Sequence, residues 1–185
     1  GHSCRMQITR AILATVLLAS PAAAQVTNDP FPQPIAATEG VIAVNYTEFA
    51  SVPDRAGTPA RTMLMADEPG TRRLFVNDMR GPLYVVGYDG RNPGLYLDIN
   101  APQWGVNVQA GGRERGFQSF AFHPQFGQAG TPGYGKFYTF TDTANMEPAP
   151  DFRPAGATGN THDSVILEWT AKTASAATYD GGAPR

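Results

Sequence analysis

Arg73-Leu-Phe-Val-Asn-Asp-Met-Arg-Gly-Pro-Leu-Tyr-Val-Val-Gly-Tyr-Asp-Gly-Arg-Asn-Pro-Gly-Leu-Tyr-Leu-Asp-Ile99 is the stretch that decides the fold. Three short apolar runs, Leu74-Phe75-Val76, Leu83-Tyr84-Val85-Val86 and Leu95-Tyr96-Leu97, are punctuated by Arg80-Gly81-Pro82, Asp89-Gly90 and Asn92-Pro93-Gly94. Runs of this length, rich in β-branched and aromatic residues and bounded by Gly, Pro, Asn and Asp, are strands joined by tight turns. Each begins about ten residues after the last, too soon for a helical crossover between parallel strands, so the pairing is antiparallel and the unit is a β-meander.

Upstream, Thr62-Met63-Leu64-Met65, closed by Glu68-Pro69-Gly70, supplies another strand, and Ile42-Ala43-Val44 reads as one more. Downstream, a second set is expected over Phe117 to Phe122, Lys136 to Phe140 and Ser164 to Trp169. Loops dense in Gly, Pro and Ala, Gly127 to Gly135 and Glu147 to Asn160, lie between them. No window after residue 25 has a 3.6-residue apolar period, so the chain is expected to be all-β. Two meander units of about 45 to 60 residues suggest blades of a β-propeller, and the pattern also permits a sandwich. In the propeller reading, residues 41–185 are the N-terminal blades and the second is unfinished at the turn-like Asp180-Gly-Gly-Ala-Pro-Arg185.

Composition agrees. The 185 residues include 20 Gly and 16 Pro, with 42% hydrophobic and 16% charged, too apolar for a disordered chain and too rich in turn formers for a helix bundle. A formal charge of -2 excludes a strongly basic nucleic-acid binder.

Residues 6–24 read as a bacterial signal peptide: Arg10 supplies the positive start, Ala11 to Ala19 the apolar stretch, and Pro21-Ala-Ala-Ala24 the small-residue exit. That stretch falls short of the ~20 residues of a membrane helix, so no membrane span is expected after signal removal, and the product is periplasmic or secreted. Residues 1–5 resemble an expression scar or an upstream extension of the reading frame, and residues 25–40 an extended lead-in. The single cysteine, Cys4, precedes the signal, which leaves the exported chain without disulfide, thiolate nucleophile or Cys-ligated metal.

Several motifs have plain structural readings. Gly130-Thr-Pro-Gly-Tyr-Gly-Lys136 matches the text of a phosphate loop, but Phe137 replaces the Ser/Thr and a strand rather than a helix follows, so it is a hairpin loop. His123 and His162 are expected to hold turns; a triad written with Asp142 or Asp163 has no nucleophile elbow to support it. Asp67-Glu68 and the acidic stretch from Glu147 to Asp151 lack the alternation of a calcium loop and read as solvated turns. Arg113-Glu114-Arg115 stands out. It is framed by Gly111-Gly112 and Gly116 ahead of an apolar strand, where a propeller can present side chains to its central cavity; a solvated loop with a local ion pair is the alternative.

The stretches from Gly112 to Phe126, Gly135 to Thr141 and His162 to Trp169, with Ala121-Phe-His-Pro124 at the centre of the first, resemble the glucose/sorbosone dehydrogenase family. These are the soluble pyrroloquinoline quinone (PQQ) dependent sugar dehydrogenases. Arg73 to Val86 is similar to the family's first blade, so the resemblance covers roughly residues 40 to 170. It implies a six-bladed propeller that binds PQQ with calcium and oxidises an aldose at the anomeric carbon. A histidine serves there as general base, and electrons leave to an acceptor. Six blades at about 40 to 50 residues each exceed this chain, which is expected to be an inactive N-terminal piece of the parent enzyme, about its first two blades. The general base is expected in a later His-x-x-Gly segment, so no catalytic residue and no metal ligand are assigned here. One position carries over by resemblance, Glu114, as a cofactor-side residue. The chain has Phe117-Gln118-Ser119 where the family usually has Leu-Leu-Gly. The alternative is a non-catalytic propeller that binds a carbohydrate or a protein partner.

Overall fold

The structure, a computed structural model, describes residues 43–144, 148–152 and 161–185. The chain divides into two units, Gly1–Val44 and Asn45–Arg185, and every strand below lies in the second. The expected signal peptide, residues 6–24, and lead-in, residues 25–40, lie outside the described residues, as does Ile42. Ala43 and Val44 are not in a strand, a correction to the reading of that run: a β-strand needs a hydrogen-bonded neighbour, and neither residue has one among the described residues.

The described strands are β1 (Thr62–Glu68), β2 (Arg73–Asp78), β3 (Pro82–Gly87), β4 (Gly94–Asp98), β5 (Phe117–Phe122), β6 (Lys136–Ala144) and β7 (His162–Thr170). They form two sheets in chain order, β1-β2-β3-β4 and β5-β6-β7, with every pair antiparallel. Neither sheet closes on itself. The one helical feature among the described residues is a 3₁₀ turn at Pro102–Trp104, in the connection between the sheets.

The apolar runs locate the strands but not their full extent. β6 and β7 continue past the runs because Asp142 pairs with Ser164, Thr143 with Asp163 and Ala144 with His162. Their polar side chains are unremarkable strand formers in isolation; the backbone ladder extends the pairing. Turn chemistry behaves as expected: Gly81 N–H donates to Asp78 O (2.9 Å), and Asp78 Oδ1 accepts the Arg80 N–H (2.9 Å), closing the β2–β3 turn.

One hydrophobic core serves both sheets. Phe75 of β2, in register with Ala66 and Val85, meets Phe122 of β5 at 4.5 Å between ring centroids. Tyr96 of β4 approaches Phe137 of β6 at 6.0 Å, and Trp169 of β7 stacks on Phe137 with an interplanar angle of 13°. Burying each such side chain contributes roughly 1.5–3 kcal/mol. The segment after β7 packs into this core and fastens the two sheets: Tyr179 N–H donates to Tyr96 O, while the Arg73 guanidinium donates to the carbonyls of Ala174 and Ala176. Glu168 and Arg185 exchange both backbone hydrogen bonds (2.8 and 2.9 Å) along the outer edge of β7.

Glu68 corrects the solvated reading of Asp67-Glu68. It is buried at 4% exposure and accepts the N–H groups of Gly70 and Thr71 together with the Thr71 hydroxyl, so it caps the β1–β2 turn from within. Asp67 is exposed and accepts the Tyr88 hydroxyl. Gly127 to Gly135 lies in the loop joining neighbours β5 and β6.

Candidate functional site

β5 is the strand of the second sheet that lies against β1 and β2 of the first. Asn77, fully buried, bridges that junction: its Nδ2 donates to Phe117 O (2.6 Å) and its Oδ1 accepts the Leu64 N–H (2.9 Å). Phe117 N–H donates to Met79 O (2.8 Å). The loop from Gly111 to Gly116 therefore enters β5 where both sheets are already fastened together.

Arg61, just before β1, reaches across to this loop. Its guanidinium donates to the carbonyls of Ala110 (3.2 Å), Gly112 (3.0 Å) and Arg113 (3.4 Å). These carbonyls turn inward to one cation, and the side chains of Arg113, Glu114 and Arg115 are left exposed. Among the described residues the Glu114 carboxylate has no hydrogen-bond or ion-pair partner, so the local ion pair weighed from the sequence does not form there.

On the other side of the loop stands Asp142, near the C-terminal end of β6 and 4% exposed. Its Oδ2 accepts the Gly116 N–H (3.2 Å) and the Gln118 amide (2.7 Å), and its Oδ1 accepts the Ser164 hydroxyl (2.7 Å). One carboxylate thus ties β5, β6 and β7 together. Burial alone would raise its pKa, but the hydrogen bonds from Ser164, Gly116 and Gln118, with the charge of His162, hold it below the usual carboxylate value. Asp78 behaves alike: burial opposes ionisation, and the bidentate Arg80 guanidinium outweighs it.

These two groups set an acid limit on stability. Both folded-state pKa values lie below the unfolded one, so the stabilisation is complete above the ordinary Asp value of about 3.9 and is lost as pH falls through the lowered values. Urea midpoints are expected to change little from these groups between pH 7 and about 5 and to fall steeply below about 4. Asp142→Asn should flatten that fall; an unchanged acid slope in the variant would remove Asp142 from the account.

The remaining sequence candidates separate cleanly. His123 Nδ1 accepts the Gln125 N–H (3.1 Å), a turn contact. His162 opens β7 with its Nδ1 3.1 Å from the Thr161 hydroxyl. Ser164 donates directly to Asp142 with no imidazole between them, which is not the order of a hydrolytic triad. Among the described residues no group of three or more His, Cys, Asp or Glu side chains gathers where a metal could sit. No described helix is long and apolar enough to cross a membrane.

Arg61, Asn77, Gln118 and the tying role of Asp142 were not found from the sequence. The only local signal is a charged residue inside the strand-forming run Thr141-Asp142-Thr143, a pattern that demands a buried partner without naming it. The fold and site define an all-β protein with two antiparallel sheets, a shared core and an exposed Arg-Glu-Arg loop at their junction. Neither a family model nor a curated protein matches the chain.

Proposed function

We propose that these sheets are the first two blades of a six-bladed propeller, and that the parent protein is an exported PQQ-dependent aldose dehydrogenase in which Glu114 faces the cofactor. The observation that supports this reading most is one of order: the three stretches that carry the resemblance fall in succession on β5, β6 and β7. The charged loop stands exposed immediately ahead of β5, the strand beside the first sheet.

The donor set suits the group. PQQ is an anionic tricarboxylate, and Arg113 and Arg115 offer exposed guanidinium groups with no carboxylate partner among the described residues. Glu114 offers an acceptor between them. Bound there, PQQ would supply the hydride acceptor for oxidation of the anomeric carbon of an aldose to its lactone, with an external acceptor taking up the two electrons. The residues of this loop would bind and orient, and the family resemblance puts removal of the hydroxyl proton on the histidine of a later His-x-x-Gly segment.

In the full-length protein, glucose-dependent dye reduction is expected only after PQQ is added, and the 185-residue chain is expected to show none. Glu114→Ala should raise the PQQ concentration needed for half-reconstitution by roughly tenfold or more, the worth of one hydrogen bond to a charged group. An unchanged titration would take Glu114 out of the site. A full-length protein inert with PQQ across a panel of aldoses would favour the non-catalytic propeller instead.

A further inference from the structure

Gln118 stands where the family pattern has leucine, and the structure gives it an occupation that leucine could not fill. Its Nε2 donates to Asp142 Oδ2 (2.7 Å) and to the backbone carbonyl of Glu114 (3.0 Å). Asp142 also holds the next point of the loop, accepting the Gly116 N–H (3.2 Å), while the Asp142 N–H donates to Gly116 O (3.0 Å). Ser164 Oγ occupies the other carboxylate oxygen at 2.7 Å, which keeps the carboxylate turned toward the loop. Arg61 grips the preceding carbonyls of Ala110 and Gly112. The backbone on both sides of Glu114 is therefore held, and its side chain is left exposed.

We infer that Gln118 is a positioning residue for Glu114. With Asp142 and Ser164 as its anchor, it forms a polar latch that presets the Arg113-Glu114-Arg115 loop before the cofactor arrives. A carboxylate held in place loses less freedom on binding than one on a loose loop, so the latch should act on cofactor affinity rather than on turnover at saturation. The inference rests on the reading of Glu114 as a cofactor contact, but the latch itself can be measured without any cofactor.

Gln118→Met keeps the length of the side chain and removes the donor, and Gln118→Leu installs the residue of the family pattern. Ser164→Ala loosens the same carboxylate from β7. In the 185-residue chain, Gln118→Met and Gln118→Leu are each expected to speed amide exchange at Gly116 by about tenfold while β2 and β3 exchange as before. The acid titration of the Gly116 amide resonance, which follows the Asp142 carboxylate, should move to higher pH in both variants as one stabilising hydrogen bond is lost. Ser164→Ala should move it the same way. In the full-length protein, the PQQ concentration for half-reconstitution should rise severalfold with turnover at saturation unchanged. Gly116 exchange and titration identical to wild type in Gln118→Met would overturn the latch, whatever the cofactor does. A loosened loop with an unmoved PQQ titration would instead overturn the cofactor role of Glu114 and with it the positioning role.

Discussion

Trp169→Ala is expected to lower the unfolding free energy by about 3–5 kcal/mol, the cost of deleting a buried aromatic ring. Trp169 is fully buried on β7, stacks on Phe137 at 6.2 Å, and meets Trp104 and Tyr179 edge-on at 5.6 Å each. Its Nε1–H donates to Thr139 Oγ1 (2.9 Å), and Thr139 is itself 1% exposed. Truncation therefore empties the space between β7, β6 and the segment after β7, and also strands a buried hydroxyl. Against a typical total of about 5–15 kcal/mol, that loss removes a large fraction of the stability. Urea unfolding followed by far-ultraviolet circular dichroism measures it. Trp169→Phe separates the contributions: most of the ring volume remains, the donor is gone, and about 1–3 kcal/mol should be lost. A loss below about 1 kcal/mol in the alanine variant would mean that Trp169 is not packed between β6, the Trp104 turn and the segment after β7 as described.

Gly116→Ala is the second large effect, on the order of 2–6 kcal/mol from backbone strain and overpacking together. Gly116 has φ 131°, a conformation that side chains with a Cβ rarely adopt, and an added Cβ would run into the Met79 carbonyl oxygen. The backbone cannot swing aside cheaply, because Gly116 N–H and C=O are both bonded to Asp142 and the next amide is bonded to Met79. Gly111→Ala is the control: nothing lies within 4 Å of its added Cβ, and the change should stay within about ±0.5 kcal/mol. Equal stability of the two alanine variants would show that the entry to β5 is not held as described. The same measurement bears on the site, since Gly116 is the residue through which the charged loop is fixed to β6.

Much of the sheet structure was legible locally. The runs at Leu74, Leu83 and Leu95 became β2, β3 and β4, and Phe117 to Phe122 is β5 to the residue. Alternation and turn residues act over a few positions, and the chain carries that information wherever it lies. Reading failed where a residue's environment comes from distant chain. Glu68 looks like a turn acid, yet its burial depends on the β5–β6 loop, where Gly127 packs against Gly70. The polar ends of β6 and β7 were missed because their pairing is an exchange between strands, visible in neither alone. The candidate loop was found by its charge and glycines; the groups that hold it were not.

Local chemistry, then, was enough to dictate antiparallel meanders, their turns and the exposed Arg113-Glu114-Arg115 loop, because each depends on dihedral preferences and hydrophobic spacing within about ten residues. Tertiary folding alone chose the partners that span tens of residues: Arg61 with Gly112, Asn77 with Phe117, and Asp142 with both Gly116 and Ser164. A buried donor or acceptor must be satisfied somewhere, but which distant group satisfies it is settled only when the sheets pack and exclude water.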